Sequence, residues 1–168
     1  MATTTVRRLE DSLSELGVSV DRTRAAAAAD RIADAIEEPA VGVALPFEGA
    51  SLPESVRTTP TAGDLETAHT GVTPVPFAIA ASGTLAIPST AAGEEPLSLY
   101  PDRHVAVVAE SDVVPDLGAG FDRLIDRFEA GPDSVVFATG RSATADMGEL
   151  VHGVHGPREV HVIVLEDR

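Results

Sequence analysis

The 168-residue sequence contains no cysteine, no lysine and no tryptophan. The first absence removes disulfides, thiolate nucleophiles and cysteine-ligated zinc or iron–sulfur sites from this chain. The second removes a Schiff-base lysine and the phosphate-binding lysine of a Walker loop. All 12 basic residues are arginine, against 27 aspartates and glutamates, for a formal net charge of −15. That sign argues against nucleic acid, whose recognition needs a basic footprint to displace counterions. No apolar run approaches the roughly 20 residues needed to span a bilayer. The opening MATTTVRRLEDSL has no apolar stretch behind its arginines, as a secretory leader would have. The expectation is a cytoplasmic chain with no membrane insertion.

What is present is a globular composition, 43% hydrophobic, of a length that suits one domain with its own core. The acidic, lysine-free surface reads as that of a protein from a high-salt cytosol. At about 1 M salt the Debye length falls to roughly 3 Å and such self-repulsion is screened. The charge then reports habitat rather than reaction.

Thr3 to Leu16 reads as an amphipathic helix, with Val6, Leu9, Leu13 and Leu16 at helical spacing and Gly17 as a stop. Asp21 is a candidate N-cap for a second helix that carries Ala25–Ala29 and ends before Pro39. Val41–Leu45, His104–Ala109, Ser134–Thr139 and Glu159–Leu165 are short apolar runs expected of buried strands. A short strand is expected at Ser55–Thr58 and a helical turn at Asp64–His69. Phe77–Ala80 and Leu85–Ile87 flank Ser82-Gly83-Thr84 as a hairpin. Phe121, Leu124, Ile125 and Phe128 mark one face of a helix, and Ala145–Val151 reads as a further short helix. Alternating helices and apolar strands predict an α/β fold with a mainly parallel sheet covered on both faces.

Three segments carry candidate chemistry. Thr139-Gly140-Arg141-Ser142-Ala143-Thr144-Ala145-Asp146 lies between an expected strand and an expected helix. Gly140 permits a sharp turn, Ser142 and Thr144 put hydroxyls near free helical N–H groups, Arg141 offers a bidentate fork, and Asp146 orders the loop. The same residues also suit a plain helix N-cap. A hydrolase elbow is a weaker match, because Thr144 replaces the final glycine. Gly153-Val154-His155-Gly156-Pro157 presents His155 as a candidate acid or base. His152 and His155 have a spacing a metal could use, but no carboxylate or cysteine completes a ligand set, so no metal is expected. Ser82, Gly83 and Thr84 could offer backbone N–H groups to an anion, while Arg103 and His104 open the strand that follows Leu99-Tyr100-Pro101-Asp102.

FAIAASGTLAIPS, LYPDRHVAVV and ATGRSATADMGELVHGVHGPREVHVIVL, in this order, resemble the LUD domain family, in its lactate-utilisation protein C branch. The resemblance is strongest from Val72 to Leu165 and most specific from Gly140 to Pro157. It implies a three-layer αβα sandwich of the NagB/RpiA/CoA-transferase-like kind. It further implies one LUD domain over residues 1–168, with N-terminal helices at 1–38 and an α/β core at 40–168. By the same resemblance the chain is an accessory subunit in oxidation of L-lactate to pyruvate. It binds a small anionic ligand, holds no cofactor itself and works with oxidoreductase partners that carry the iron–sulfur clusters. The alternatives are a stand-alone enzyme on a phosphorylated or CoA-linked small molecule, with His155 or Glu149 as acid or base, and a non-catalytic ligand-binding module. Where the family carries a glutamate before its Ser/Thr-Gly-Thr turn, this chain has Ala81. A two-fold dimer is the commonest assembly for such a chain.

Raising potassium chloride from about 0.1 M to about 2 M should raise the melting temperature, because the surface repulsion becomes screened. An unchanged or lower melting temperature in a calorimetric salt series would remove the high-salt reading.

Overall fold

The computed structural model describes residues 3–131 and 134–168. Helix α1 (Thr4–Glu15) starts where the Thr3 side chain accepts a hydrogen bond from Val6 N. Strand β1 (Ser19–Thr23), helix α2 (Ala28–Ala35), strands β2 (Ala40–Gly42) and β3 (Val56–Arg57) and helix α3 (Ala62–Thr67) follow, α3 being opened by a capping box between Thr61 and Asp64. Next come β4 (Thr70–Pro74), β5 (Ala78–Ile79), β6 (Thr84–Pro88), α4 (Glu94–Leu99), β7 (Arg103–Ala109), β8 (Val113–Val114) and α5 (Leu117–Ala130). Strands β9 (Val135–Thr139), β10 (Ala143–Asp146), β11 (Glu149–His152) and β12 (Glu159–Leu165) complete the order.

Side-chain alternation in β7 and β12 sets the layers. Val105, Val107, Ile163 and Leu165 face Ala28, Ile32 and Ala35 of α2. Ala106, Val108, Val162 and Val164 face Val6, Leu9 and Leu13 of α1. Two-sided burial of this kind belongs to parallel strands covered above and below. The sheet has six strands in the order β1-β12-β7-β4-β2-β3, and each pairing is parallel.

A second sheet, ordered β8-β5-β6-β9, lies beside α1 on the same face. It too alternates: Ala78, Leu85, Ile87, Val136 and Ala138 point to the main sheet, whereas Phe77, Ile79, Ala86, Val135 and Phe137 point to Leu124 of α5. The fold is therefore α/β, with a parallel central sheet between helical layers. The expected β5–β6 hairpin is present, its strands antiparallel.

Two local expectations are corrected. Asp21 caps no helix; Ser19–Thr23 pairs in register with His161–Leu165, and Asp21 Oδ2 accepts from His161 Nε2 at 3.0 Å. The stretch expected to hold only helices thus contains the edge strand of the main sheet. Thr70–Pro74 and Glu94–Leu99, for which local pattern suggests no element, are a central strand and a helix. Ala145–Val151 is not helical: β10 and β11 form an antiparallel hairpin in which Asp146 pairs with Glu149. Met147 at φ 50° and Gly148 at φ 85° form its two-residue turn, the conformation that suits strand twist. The helix expected at Phe121–Phe128 is present within α5, which buries only part of its apolar face, leaving Phe121 52% and Ile125 55% exposed.

At Gly71 the chain tolerates no side chain, since an added Cβ would lie 1.8 Å from the Leu97 carbonyl oxygen of α4. Gly71→Ala forces two backbones apart and should cost on the order of 3 kcal/mol. That lowers the melting temperature by roughly 6–12 °C in a domain of this size; a change under about 2 °C would mean that α4 does not rest on β4 as described.

Candidate anion-binding site

Three connections meet at the amino ends of β7 and β12. The first is the β5–β6 turn, where Gly83 packs against Leu16 and the backbone of Ser12 and Leu13. The second follows β9, where Gly140 at φ 73° also abuts Leu16. Hydroxyls tie these two together: Ser82 Oγ lies 2.7 Å from Thr84 Oγ1, and Thr84 Oγ1 lies 2.7 Å from Thr139 Oγ1. The third is the 153–158 connection. Ser142 N donates to Pro157 O at 2.9 Å, and Ser142 O accepts from Gly153 N at 3.1 Å. His152 Nδ1 lies 3.2 Å from the same Ser142 oxygen, so this ring is turned back onto the loop.

The candidates do not all converge. Gly140, Arg141, Ser142 and His155 line one cavity of about 230 Å³, together with Ser98 and His104. Its remaining wall includes Leu85, Ile87, Val136 and Val160. Ser82, Gly83 and Thr84 stand behind Thr139 as support, outside the lining. Thr144 and Asp146 lie on the β10–β11 hairpin, and neither lines the cavity. With no helix after Ser142, no helical N–H groups or dipole act there, and the N-cap reading falls as well. The elbow reading also fails: β9 leads into the hairpin, and Ser142 Oγ contacts no base among the described residues. Ala81 is exposed beside Ser82.

Electrostatics single out Arg141. A second cavity of about 310 Å³ adjoins the first, and its charged and titratable lining is Arg103, Arg141, Arg158, Glu159 and His161. Arg103 is held by Glu37, Glu159 and the Ala35 carbonyl, and Arg158 lies 3.8 Å from Asp102. Among the described residues Arg141 has neither an ion pair nor a hydrogen bond, and its guanidinium rests over Gly17. Arg141 lines both cavities, its guanidinium lies by Gly17 on the wall of the second, and with no partner among the described residues its donor fork is left for an anion. A larger cavity, about 530 Å³, lies past the carboxyl ends of β2 and β3. No ionisable side chain lines it, so it has no charge with which to select an anion. The site thus sits at the amino edge of the parallel sheet, because β9, which delivers Arg141, belongs to the second sheet.

In the sequence His104 reads only as the opening of a strand. It is 2% exposed, its Nε2 is 2.8 Å from Thr73 Oγ1, and burial pushes its pKa down to about 4. The ring is neutral near pH 7. A histidine beginning an otherwise apolar run was the available signal, though the chain alone cannot show that a cavity opens there. Among the described residues no three His, Cys, Asp or Glu side chains are grouped as metal ligands, and no helix is long and apolar enough to cross a membrane.

Fold and site define an α/β protein with a small, arginine-headed cavity at the edge of its parallel sheet. The sequence model of the LUD domain matches residues 51–165, and the chain belongs to that family. Lactate utilization protein C of Geobacillus sp. (strain WCH70) is 34% identical over 107 residues, which are 61% of this chain and 44% of that one. The protein of the same name from Deinococcus radiodurans is 36% identical over 105 residues, 61% of this chain and 49% of its own. The chain therefore spans about half the length of these curated relatives. A crystal structure of a DUF162 family protein from Deinococcus radiodurans superimposes with a TM-score of 0.72 at 26% identity, covering 95% of both chains.

Burial of His104 has a consequence for stability. The unfolded chain protonates this ring near 6.5 and the folded chain only near 4. The unfolded state therefore binds the extra proton between those values, and stability falls as pH drops through that window. The contribution lost is about 3 kcal/mol. Denaturant midpoints from pH 7 to pH 4 should fall less steeply in His104→Gln than in the parent; parallel slopes would show that the ring is not buried neutral.

Proposed function

We propose that this chain is a lactate-utilisation protein that binds a small carboxylate in the cavity headed by Arg141. The observation that carries the reading is Arg141 itself, without an acidic partner among the described residues in a chain of net charge −15. Ser142, whose hydroxyl is likewise unpaired there, and His155 line the same cavity and would complete the polar side. The volume of about 230 Å³ is below the roughly 300–1,000 Å³ of pockets for drug-sized ligands, so the occupant is small. Family membership and the names of the relatives supply lactate utilisation as the context. In this reading the chain acts as an accessory subunit, and oxidoreductase partners carry the iron–sulfur clusters. A stand-alone enzyme with His155 as acid or base is the second reading, favoured by the position of that imidazole on the cavity wall.

A thermal-shift series in molar salt, with lactate, pyruvate, phosphate, sugar phosphates, nucleotides and CoA, separates these readings. A carboxylate at 100 times its Kd should add about 2.7 kcal/mol and raise the melting temperature by roughly 5–10 °C. Arg141→Ala should abolish the shift, while Thr144→Ala should leave it intact. A shift only with phosphorylated ligands or CoA would transfer the weight to the stand-alone enzyme. If Arg141→Ala leaves a carboxylate shift unchanged, the ligand sits elsewhere.

A further inference from the structure

His104 is a buried histidine in an otherwise apolar stretch of β7. Its position opposite β4 could be filled by an apolar residue, as at neighbouring Val105 and Val160. Instead its ring lines the Arg141 cavity, and its Nε2 meets Thr73 Oγ1 at 2.8 Å.

The hydroxyl of Thr73 decides which ring nitrogen carries the proton. Thr73 is fully buried, and among the described residues its hydroxyl has no hydrogen-bond partner other than Nε2. Were Nε2 protonated, it would donate to Oγ1, and the Thr73 proton would be sealed without an acceptor. A buried donor in that state is costly. The favourable arrangement is therefore Thr73 O–H donating to Nε2, with the imidazole proton on Nδ1. Nδ1 has no protein partner among the described residues. The sealed, unpartnered side-chain nitrogen or oxygen found among those residues is Arg22 Nε, not His104 Nδ1. Nδ1 thus retains contact with open space, and the space beside this ring is the cavity.

We infer that His104 is a specificity-determining residue whose Nδ1–H donates to an uncharged oxygen of the ligand, next to the carboxylate that Arg141 holds. The inference rests on the carboxylate reading of the cavity and narrows it. The ligand class is a carboxylic acid with an oxo or hydroxyl oxygen on the adjacent carbon, its apolar remainder against Leu85, Ile87 and Val136. A neutral donor suits that oxygen better than a second cation would, because it adds direction without adding charge. The pKa held at about 4 keeps the ring in this state through the physiological range. A donor built for one oxygen discriminates against an analogue that lacks it, since the donor is then left unpaired.

The test compares pyruvate with propanoate on the full chain labelled with ¹⁵N histidine. Long-range ¹H–¹⁵N spectra should show the His104 ring, assigned by its loss in His104→Leu, as neutral with Nδ1 protonated. Pyruvate should shift its Nδ1 resonance and propanoate should not. By titration, propanoate should bind at least about tenfold more weakly than pyruvate. Thr73→Val, which keeps the shape and removes the hydroxyl, should cut that ratio to about twofold, whereas Arg141→Ala should weaken both acids alike. An Nε2-protonated ring, or a ratio unchanged in both Thr73→Val and His104→Leu, overturns the inference. Arg141-dependent binding of pyruvate that leaves the His104 ring unmoved overturns it while sparing the carboxylate site. Failure of every acid to bind overturns both.

Discussion

Because β7 and β12 bury side chains on both faces, each face needs its own cover, and the rest of the molecule is arranged around that need. Val105 and Val107 require α2, while Ala106 and Val108 require α1 and the inner face of the second sheet. The small side chain at Ala106 helps the second layer approach, and Gly71 lets α4 approach β4 closely enough for its backbone to touch. Apolar burial on this scale is the dominant favourable term in folding. It also fixes where loops emerge, since buried backbone must be hydrogen-bonded within the sheet and irregular backbone must stay at the edges.

The site is a by-product of stacking two sheets that run differently. The parallel strands present their amino ends at one edge, and β9 of the mixed sheet arrives at the same edge with its carboxyl end. His104 and Val160 come from the first arrangement, and Gly140, Arg141 and Ser142 from the second. The seam between them is apolar on the side of Leu85 and Ile87 and polar on the side of the loops. In a strongly acidic chain most arginines near this edge are neutralised by neighbouring carboxylates, as with Arg103 and Arg158. Arg141 has no such partner among the described residues, and its guanidinium lies over Gly17. Local charge selection is thus possible despite a repulsive overall field.

The elements with strong periodicity were legible before folding. The spacing of Val6, Leu9 and Leu13 marks α1, and the apolar runs mark β7, β9 and β12. The elements that were missed lack such a signal. β1 reads SVDRT, polar because one of its edges is free, and β4 reads TGVTP, whose threonines and glycine resemble a turn. Their strand character comes from pairing with β12 and β7. Ala145–Val151 contains good helix formers, yet the turn at Met147 and Gly148 pairs them across a hairpin, and pairing outweighs intrinsic preference. The apolar face of α5 was readable, but not that half of it stays uncovered.

The sequence by itself determined the α/β class, the exclusion of thiol and lysine chemistry, the acidic surface and the family, because composition, periodicity and local motifs are properties of short stretches. It also singled out Gly140, Arg141, Ser142 and His155 as candidate site residues, in two separate loops. Tertiary structure alone decided that Arg141 has no ion-pair partner among the described residues, that Thr144 and Asp146 lie outside the cavity lining, and that His104 joins the cavity with Thr73 as its partner. These depend on contacts between residues far apart in the chain, such as the 31-residue separation between Thr73 and His104. No local pattern encodes which side chains will meet once the sheets have stacked.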